Sequence, residues 1–439
     1  MKNTITYSSK INSFNGKIIV PGDKSISHRS LILASQAIGR TYITGMLEGE
    51  DVINTAEALK ECGVFIERRD DKWYVEGVGV GGLQKPSKVL DVGNSGTGVR
   101  LLMGLLATYD FEVEFTGDES LKKRPMGRVI TPLTQMGVTI KSNDGKLPIK
   151  VRGNDNLAPI TYESPVASAQ LKSCILLAGL NIAGKTSVIE KQKTRDHSEL
   201  MLKYIGADID IEEKEGVYVS SVLGQKELIA RDFMVPSDPS SAAFMIVAAL
   251  IVPNSEILIE NILMNETRIG LIHTLIEMGG DIQIINQRDS AGEKIADLII
   301  KSSKLKGVSV PAARAPSMID EYPILSIAAS VAEGTTVMNG IEELKVKESD
   351  RMASIINGLK SCGVKLDYTD DSISVTGGKV KGGAMIETFM DHRIAMSFLV
   401  LGMVADEKVE IDDYAMIATS FPDFIDIMNN CGAKIEIGR

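Results

Sequence analysis

Residues 59–67 read "LKECGVFIE": the end of an amphipathic helix, a glycine, then an alternating strand. The glycine suits the left-handed position just past a helix end, where any Cβ costs free energy. The same pattern returns as "LTQMGVTIK" (133–141), "LKYIGADID" (202–210), "LIEMGGDIQ" (275–283), "LKSCGVKLD" (359–367) and "MNNCGAKIE" (428–436). The six glycines, 63, 137, 206, 279, 363 and 432, fall roughly 70–85 residues apart. Spacing that regular predicts six copies of one structural unit. Cys62, Cys362 and Cys431 then fill a slot that holds Met or Ile in the other copies, so they read as buried helix-end hydrophobes. Four cysteines in 439 residues do not make a disulfide framework.

Each unit holds a second, more apolar helix. These begin "KSISHRSLILAS", "NSGTGVRLLMGLLA", "SAQLKSCILLAGL", "DPSSAAFMIVAAL", "DEYPILSIAASVA" and "DHRIAMSFLVLGMVA". Helices apolar nearly all round are buried. Each opens on a capping or charged residue: Ser25, Asn94, Ser168, Asp238 or Ser240, Asp320 and Asp391. Six units of strand, buried helix, strand, exposed helix, glycine and strand predict an α/β protein of mixed sheets.

The units group three and three. "IIVPGDKS" (18–25) and "FMVPSDPS" (233–240) are near-copies, and a Pro-centred crossing that occurs twice reads as two linkers between two domains. The expected domains are 22–235, and 238–439 with residues 1–20 strapped to it. The hinge strands are expected near 18–23 and 233–238, allowing one domain to close on the other.

A net charge of −10 argues against generic affinity for nucleic acid or an anionic membrane. The longest apolar runs, such as "AAFMIVAALIV" (242–252), fall short of the ~20 residues of a membrane span. The first residues carry no apolar signal region and no Arg-rich presequence, so a cytoplasmic protein is expected.

Helix N-termini favour anions through their unpaired N–H groups and partial positive charge. Several mouths here add cations or donors: Lys24, Ser25 and Arg29; Asn94, Ser95, Thr97 and Arg100; Ser168, Gln170 and Lys172; His392 and Arg393. Basic loops lie between them, at 121–128, 193–199 and 344–351. Any one arginine is more simply a cap or surface ion pair. Six mouths of one polarity instead predict a cleft that closes on small, highly charged anions.

The stretches "PGDKSISHRS", "GNSGTGVR", "KRPMGR", "SAQLKS", "TRDHSE", "SMIDEYP", "VKESDR" and "DHRIAMSF" resemble, in number and order, the 5-enolpyruvylshikimate-3-phosphate synthase family of enolpyruvyl transferases. The resemblance covers essentially the whole chain. It implies two domains, each of three β-α-β-α-β-β units around buried helices, an inside-out α/β barrel. It implies transfer of the enolpyruvyl group of phosphoenolpyruvate to the 5-hydroxyl of shikimate 3-phosphate, with no metal and no organic cofactor, by a monomer. The substrates bring together about six negative charges, and two like charges 4 Å apart cost about 4 kcal/mol at an effective dielectric of 20.

By resemblance, Ser25, Arg29, Ser168, Ala169, Gln170, Arg195, Asp320 and Lys347 hold shikimate 3-phosphate. Lys24, Asn94, Gly96, Arg124, Gln170, Arg351 and Arg393 hold phosphoenolpyruvate. Addition followed by elimination needs an acid at the enol methylene and a base at the hydroxyl. Asp320 is assigned to the hydroxyl, and Lys24 and Glu348 to proton traffic at the enol; the role of His392 stays open. Two departures stand out. Many members carry a lysine before the final "FP", where this chain has Thr419-Ser420, and Glu343 stands where others have Asn. A Cβ at Gly96 is expected to crowd a phosphoenolpyruvate mimic longer than the substrate, such as glyphosate.

The nearest alternative is the transferase acting on UDP-N-acetylglucosamine, which typically carries a reactive cysteine in the loop matching 117–128; none is present there. An RNA 3′-phosphate cyclase would need a nucleotide site that the sequence does not offer. A non-catalytic phospho-anion sensor would not need Lys24, Asp320 and Glu348 together.

Overall fold

Among residues 5–438, which a computed structural model describes, twelve α-helices alternate between two kinds. The odd-numbered helices are α1 (Lys24–Gln36), α3 (Gly96–Leu106), α5 (Ala169–Leu180), α7 (Pro239–Ile251), α9 (Tyr322–Val331) and α11 (His392–Gly402), and all are buried along nearly their whole length. The even-numbered helices are α2 (Glu50–Glu61), α4 (Gly127–Gln135), α6 (His197–Tyr204), α8 (Gly270–Glu277), α10 (Arg351–Ser361) and α12 (Phe424–Asn430), and they bury one face only.

All six expected glycines have positive φ, between 81° at Gly363 and 103° at Gly432. Each ends an even-numbered helix with the same pair of bonds. At α2, Gly63 N–H donates to Lys60 O at 3.0 Å and Val64 N–H to Leu59 O at 3.2 Å. The other five copies repeat that pair, satisfying carbonyls the helix leaves open. Cys62, Cys362 and Cys431 are the residues before the glycine, and all four cysteines are buried and unpaired. Burial pushes the thiols of Cys62 and Cys174 up to about 12 and that of Cys362 to about 11.

Six sheets accompany the six helix pairs. In one, Thr161–Glu163 runs parallel to Lys185–Glu190, which pairs antiparallel with Val217–Leu223, itself antiparallel to Ile209–Lys214. The order repeats for Leu90–Asp91, Val113–Thr116, Lys146–Arg152 and Thr139–Asn143, and for Ser309–Val310, Thr335–Asn339, Ser372–Thr376 and Lys365–Tyr368. Two sheets take strands from the start of the chain. Thr6–Ser8 lies between Val409–Ile411 and Ile435–Ile437, and Asn15–Ile18 runs parallel to Glu256–Leu263.

The chain divides into two compact units. One comprises Gly22–Pro236 with Asp289–Glu293; the other comprises Met1–Pro21, Ser237–Arg288 and Lys294–Arg439. Assignment of 289–293, the tip of the hairpin formed by Asp281–Ser290 and Glu293–Lys301, to the first unit was not signalled by the sequence. The Val-Pro segments carry reciprocal bonds: Asp23 N–H donates to Pro236 O at 2.7 Å, and Asp238 N–H to Pro21 O at 2.9 Å. A Cβ at Gly22 would lie 2.0 Å from Gly45 O, so only glycine fits this crossing.

The helix starts differ in detail from the expectation. Asp23 caps α1, accepting from Ile26 N–H at 2.8 Å, so Ser25 lies inside the first turn. Ser95 rather than Asn94 caps α3. Asp320 precedes α9 without capping it. At α1 and α3 the side-chain cap thus comes from a neighbour of the expected residue, and α9 has no side-chain cap.

Candidate functional site

In the unit built on Gly22–Pro236, the mouths of α3 and α5 lie side by side. A Cβ on Gly104 would sit 2.3 Å from Cys174 O, so the two helices approach more closely than any other residue there would permit. Arg100, buried in α3, donates to Gln170 Oε1 at 2.7 Å and to Gly96 O at 3.0 Å, and Gln170 Nε2 donates to Thr97 Oγ1 at 2.9 Å. Arg124 donates to Asn94 Oδ1 at 2.8 Å. A Cβ on Gly96 would lie 3.1 Å from a guanidinium nitrogen of both Arg100 and Arg124. Asn94, Gly96, Arg124 and Gln170, read separately in the sequence, therefore form one cluster. Arg100 is its organiser, a role the sequence did not reveal. Burial and the charges of Arg128 and Arg124 lower Arg100 to about 10, so it stays cationic at neutral pH.

At the mouth of α1, the Lys24 ammonium pairs with Asp51 in the first turn of α2. That partner was missed, because an acid at a helix start is ordinary in sequence. His28, fully buried, bonds Thr55 Oγ1 through Nδ1 at 2.8 Å, and its Nε2 lies 3.4 Å from the Ser95 hydroxyl. Burial first, then Lys24 and Arg29, holds its ring neutral. Arg29 is 4% exposed; it donates to Ser198 Oγ at 2.7 Å, Ser173 Oγ at 2.7 Å and Ser25 O at 3.0 Å. Ser168 caps α5, with Ala169 and Gln170 following in its first turn, all suited to presenting N–H groups to an anion. Arg195 is half-buried in the loop before α6.

In the other unit, Arg351 is the centre. Its guanidinium is fully buried and donates to Asp391 Oδ2 at 2.8 Å, Asp320 Oδ1 at 3.2 Å and Glu348 Oε2 at 2.5 Å. The two carboxylates expected to move protons, Asp320 and Glu348, thus share one cation. Asp391 caps α11 and accepts from Arg393 N–H at 2.9 Å, while Arg393 reaches Asp320 O at 3.3 Å. Burial and neighbouring Arg393 push His392 down to about 3, so its ring is neutral. Lys347 pairs with Glu343 at 2.8 Å, so the acid that stands where others have Asn neutralises a cation expected on shikimate 3-phosphate. Thr419 turns its hydroxyl onto Met416 O at 2.7 Å.

Among the described residues, no group of three or more His, Cys, Asp or Glu is arranged to hold a metal ion, and no helix is long and apolar enough to cross a membrane.

The sequence model of a family described as EPSP synthase (3-phosphoshikimate 1-carboxyvinyltransferase) matches residues 8–428. A 3-phosphoshikimate 1-carboxyvinyltransferase of Chelativorans sp. (strain BNC1) is 56% identical over 427 residues, covering 96% of this chain and 95% of the relative. One from Paramagnetospirillum magneticum (strain ATCC 700264 / AMB-1) is 56% identical over 426 residues, covering 96% of each. A solved structure of EPSP synthase from Acinetobacter baumannii superposes with a TM-score of 0.90 at 42% identity, covering 99% of this chain and 100% of that one.

Proposed function

We propose the following division of labour from the premise that this chain belongs to the EPSP synthase family and is a 3-phosphoshikimate 1-carboxyvinyltransferase, moving the enolpyruvyl group of phosphoenolpyruvate onto shikimate 3-phosphate. Ser25, Arg29, Ser168, Ala169, Gln170, Arg195, Asp320 and Lys347 take shikimate 3-phosphate. Lys24, Asn94, Gly96, Arg124 and Gln170, with Arg351 and Arg393, take phosphoenolpyruvate. Helix-end N–H groups and guanidiniums oppose the mutual repulsion of the substrates, and they are fixed before the substrates arrive.

Asp320 accepts the proton of the attacking hydroxyl. Lys24 and Glu348 share the proton traffic at the enol: the Lys24 ammonium gives a proton to the methylene, making the adjacent carbon electrophilic, and the Glu348 carboxylate takes a methyl proton as phosphate leaves. The observation that carries this reading is the Arg351 guanidinium, which holds Asp320 and Glu348 at 3.2 and 2.5 Å. A shared cation fixes the orientation of both carboxylates. The enzyme works as a cytoplasmic monomer.

Asp320→Asn and Glu348→Gln test the assignment by phosphate release. Each is expected to lower kcat by about 10²–10⁴, with KM for both substrates changed far less. Retention of kcat within a few-fold in Asp320→Asn would remove Asp320 from the chemistry.

A further inference from the structure

Lys172 was expected among the anion-seeking groups at the mouth of α5. The structure buries it instead: its side chain is 3% exposed, with Nζ 2.7 Å from Glu190 and 2.7 Å from Glu199, themselves 3% and 1% exposed. Glu190 ends the strand Lys185–Glu190, and Glu199 lies in the first turn of α6. Between them runs the loop 191–196, which carries Arg195. One ammonium therefore ties down both ends of that loop.

Further bonds extend the tie. Thr194 donates to the second oxygen of Glu190 at 2.5 Å, and Ser220 donates to Glu199 at 3.0 Å. His197 Nδ1 lies 2.6 Å from Glu293 Oε1, and Ser198 accepts from Arg29 at 2.7 Å. Two carboxylates exceed one ammonium by one negative charge, and the buried Arg29 guanidinium is drawn to Glu199 as well as to Asp23 and Glu293. Replacing such a set by well-packed apolar side chains is often neutral or stabilising, so stability alone gives no reason for it. What apolar packing cannot supply is a fixed direction at both ends of a loop.

We propose that Lys172 is a positioning residue for shikimate 3-phosphate: by bridging Glu190 and Glu199 it sets the loop 191–196 and so aims Arg195. This rests on the reading of Arg195 as a ligand of that substrate. Lys172 itself makes no contact with substrate. Its effect falls on binding of the acceptor and not on the enol chemistry.

The test is calorimetric binding of shikimate 3-phosphate without phosphoenolpyruvate, beside steady-state kinetics. Thr194→Val removes only the hydroxyl on Glu190, and is expected to weaken shikimate 3-phosphate about tenfold, the effect of one hydrogen bond to a charged group. Lys172→Met is expected to weaken it further, and Lys172→Arg to restore part of the loss. KM for phosphoenolpyruvate, at saturating acceptor, should stay within about twofold. In an Arg195→Ala background, Thr194→Val should add nothing. Unchanged affinity in folded Thr194→Val, or the same loss with and without Arg195, overturns the positioning role. Should Lys172→Met fail to fold, the Thr194→Val cycle decides alone. If Arg195→Ala by itself leaves affinity intact, the ligand reading has failed, a distinct result.

Discussion

At Gly96 a single methyl group meets two cations. Both guanidinium nitrogens lie 3.1 Å from where the Cβ of alanine would stand, closer than ordinary van der Waals contact, so Arg100 and Arg124 must yield. Gly96→Ala is expected to raise KM for phosphoenolpyruvate modestly and to weaken glyphosate about tenfold more than substrate, within the 1–3 kcal/mol range of overpacking. Equal losses, by inhibition kinetics, would show that the methyl disturbs the arginines alone. The identity of such residues was legible because short motifs quote them in order. Their partners were not. Nothing in "EDVINTAEAL" marks Asp51 as the counter-ion of Lys24, and Lys172 in "SAQLKS" looks like any mouth cation until a distant strand and helix bring it two carboxylates. Pairings across long sequence separations depend on tertiary packing, which local pattern does not encode.

Among elements, the six helix ends offer a clean measurement of backbone strain. Gly279 has φ +89°, and a Cβ there would find nothing nearer than Lys304 O at 3.8 Å. Gly279→Ala should therefore cost about 1–2 kcal/mol from conformation alone. Urea unfolding should show the loss while turnover is unchanged. The helix–glycine–strand repeat could be read from sequence because one residue type answers one conformational demand, six times over. Cap positions were read less well. Asp23, Ser95 and Glu321 compete within two residues of Ser25, Asn94 and Asp320, and propensity does not choose between adjacent polar residues.

For the whole molecule, two neutral histidines make acid the weak direction. His392 is depressed to about 3 and His28 lies well below its ordinary value, each chiefly through burial. An unfolded chain protonates these rings near pH 6.5. Below that pH the unfolded state binds protons that the folded state refuses, so stability is complete above about pH 6.5 and falls as pH drops toward 3. Each ring contributes a slope of up to about 1.4 kcal/mol per pH unit. Chemical unfolding at pH 5 and pH 7 should show the difference, and His392→Gln should flatten it; an unchanged slope would mean that the ring is protonated in the folded protein. The unit count and the α/β class could be read along the chain, whereas the inclusion of 289–293 in the first unit could not, because a hairpin tip in sequence does not announce what it will touch. The placement of the cysteines has one further use. Three of the four sulfurs stand at equivalent helix ends in different repeats, and none is ionised at neutral pH. Iodoacetamide should therefore leave the native enzyme untouched and label each site only as its own repeat opens. Peptide mass spectrometry over a urea series would then follow unravelling repeat by repeat, with Cys431, at 8% exposure against 0% for the others, alkylated first.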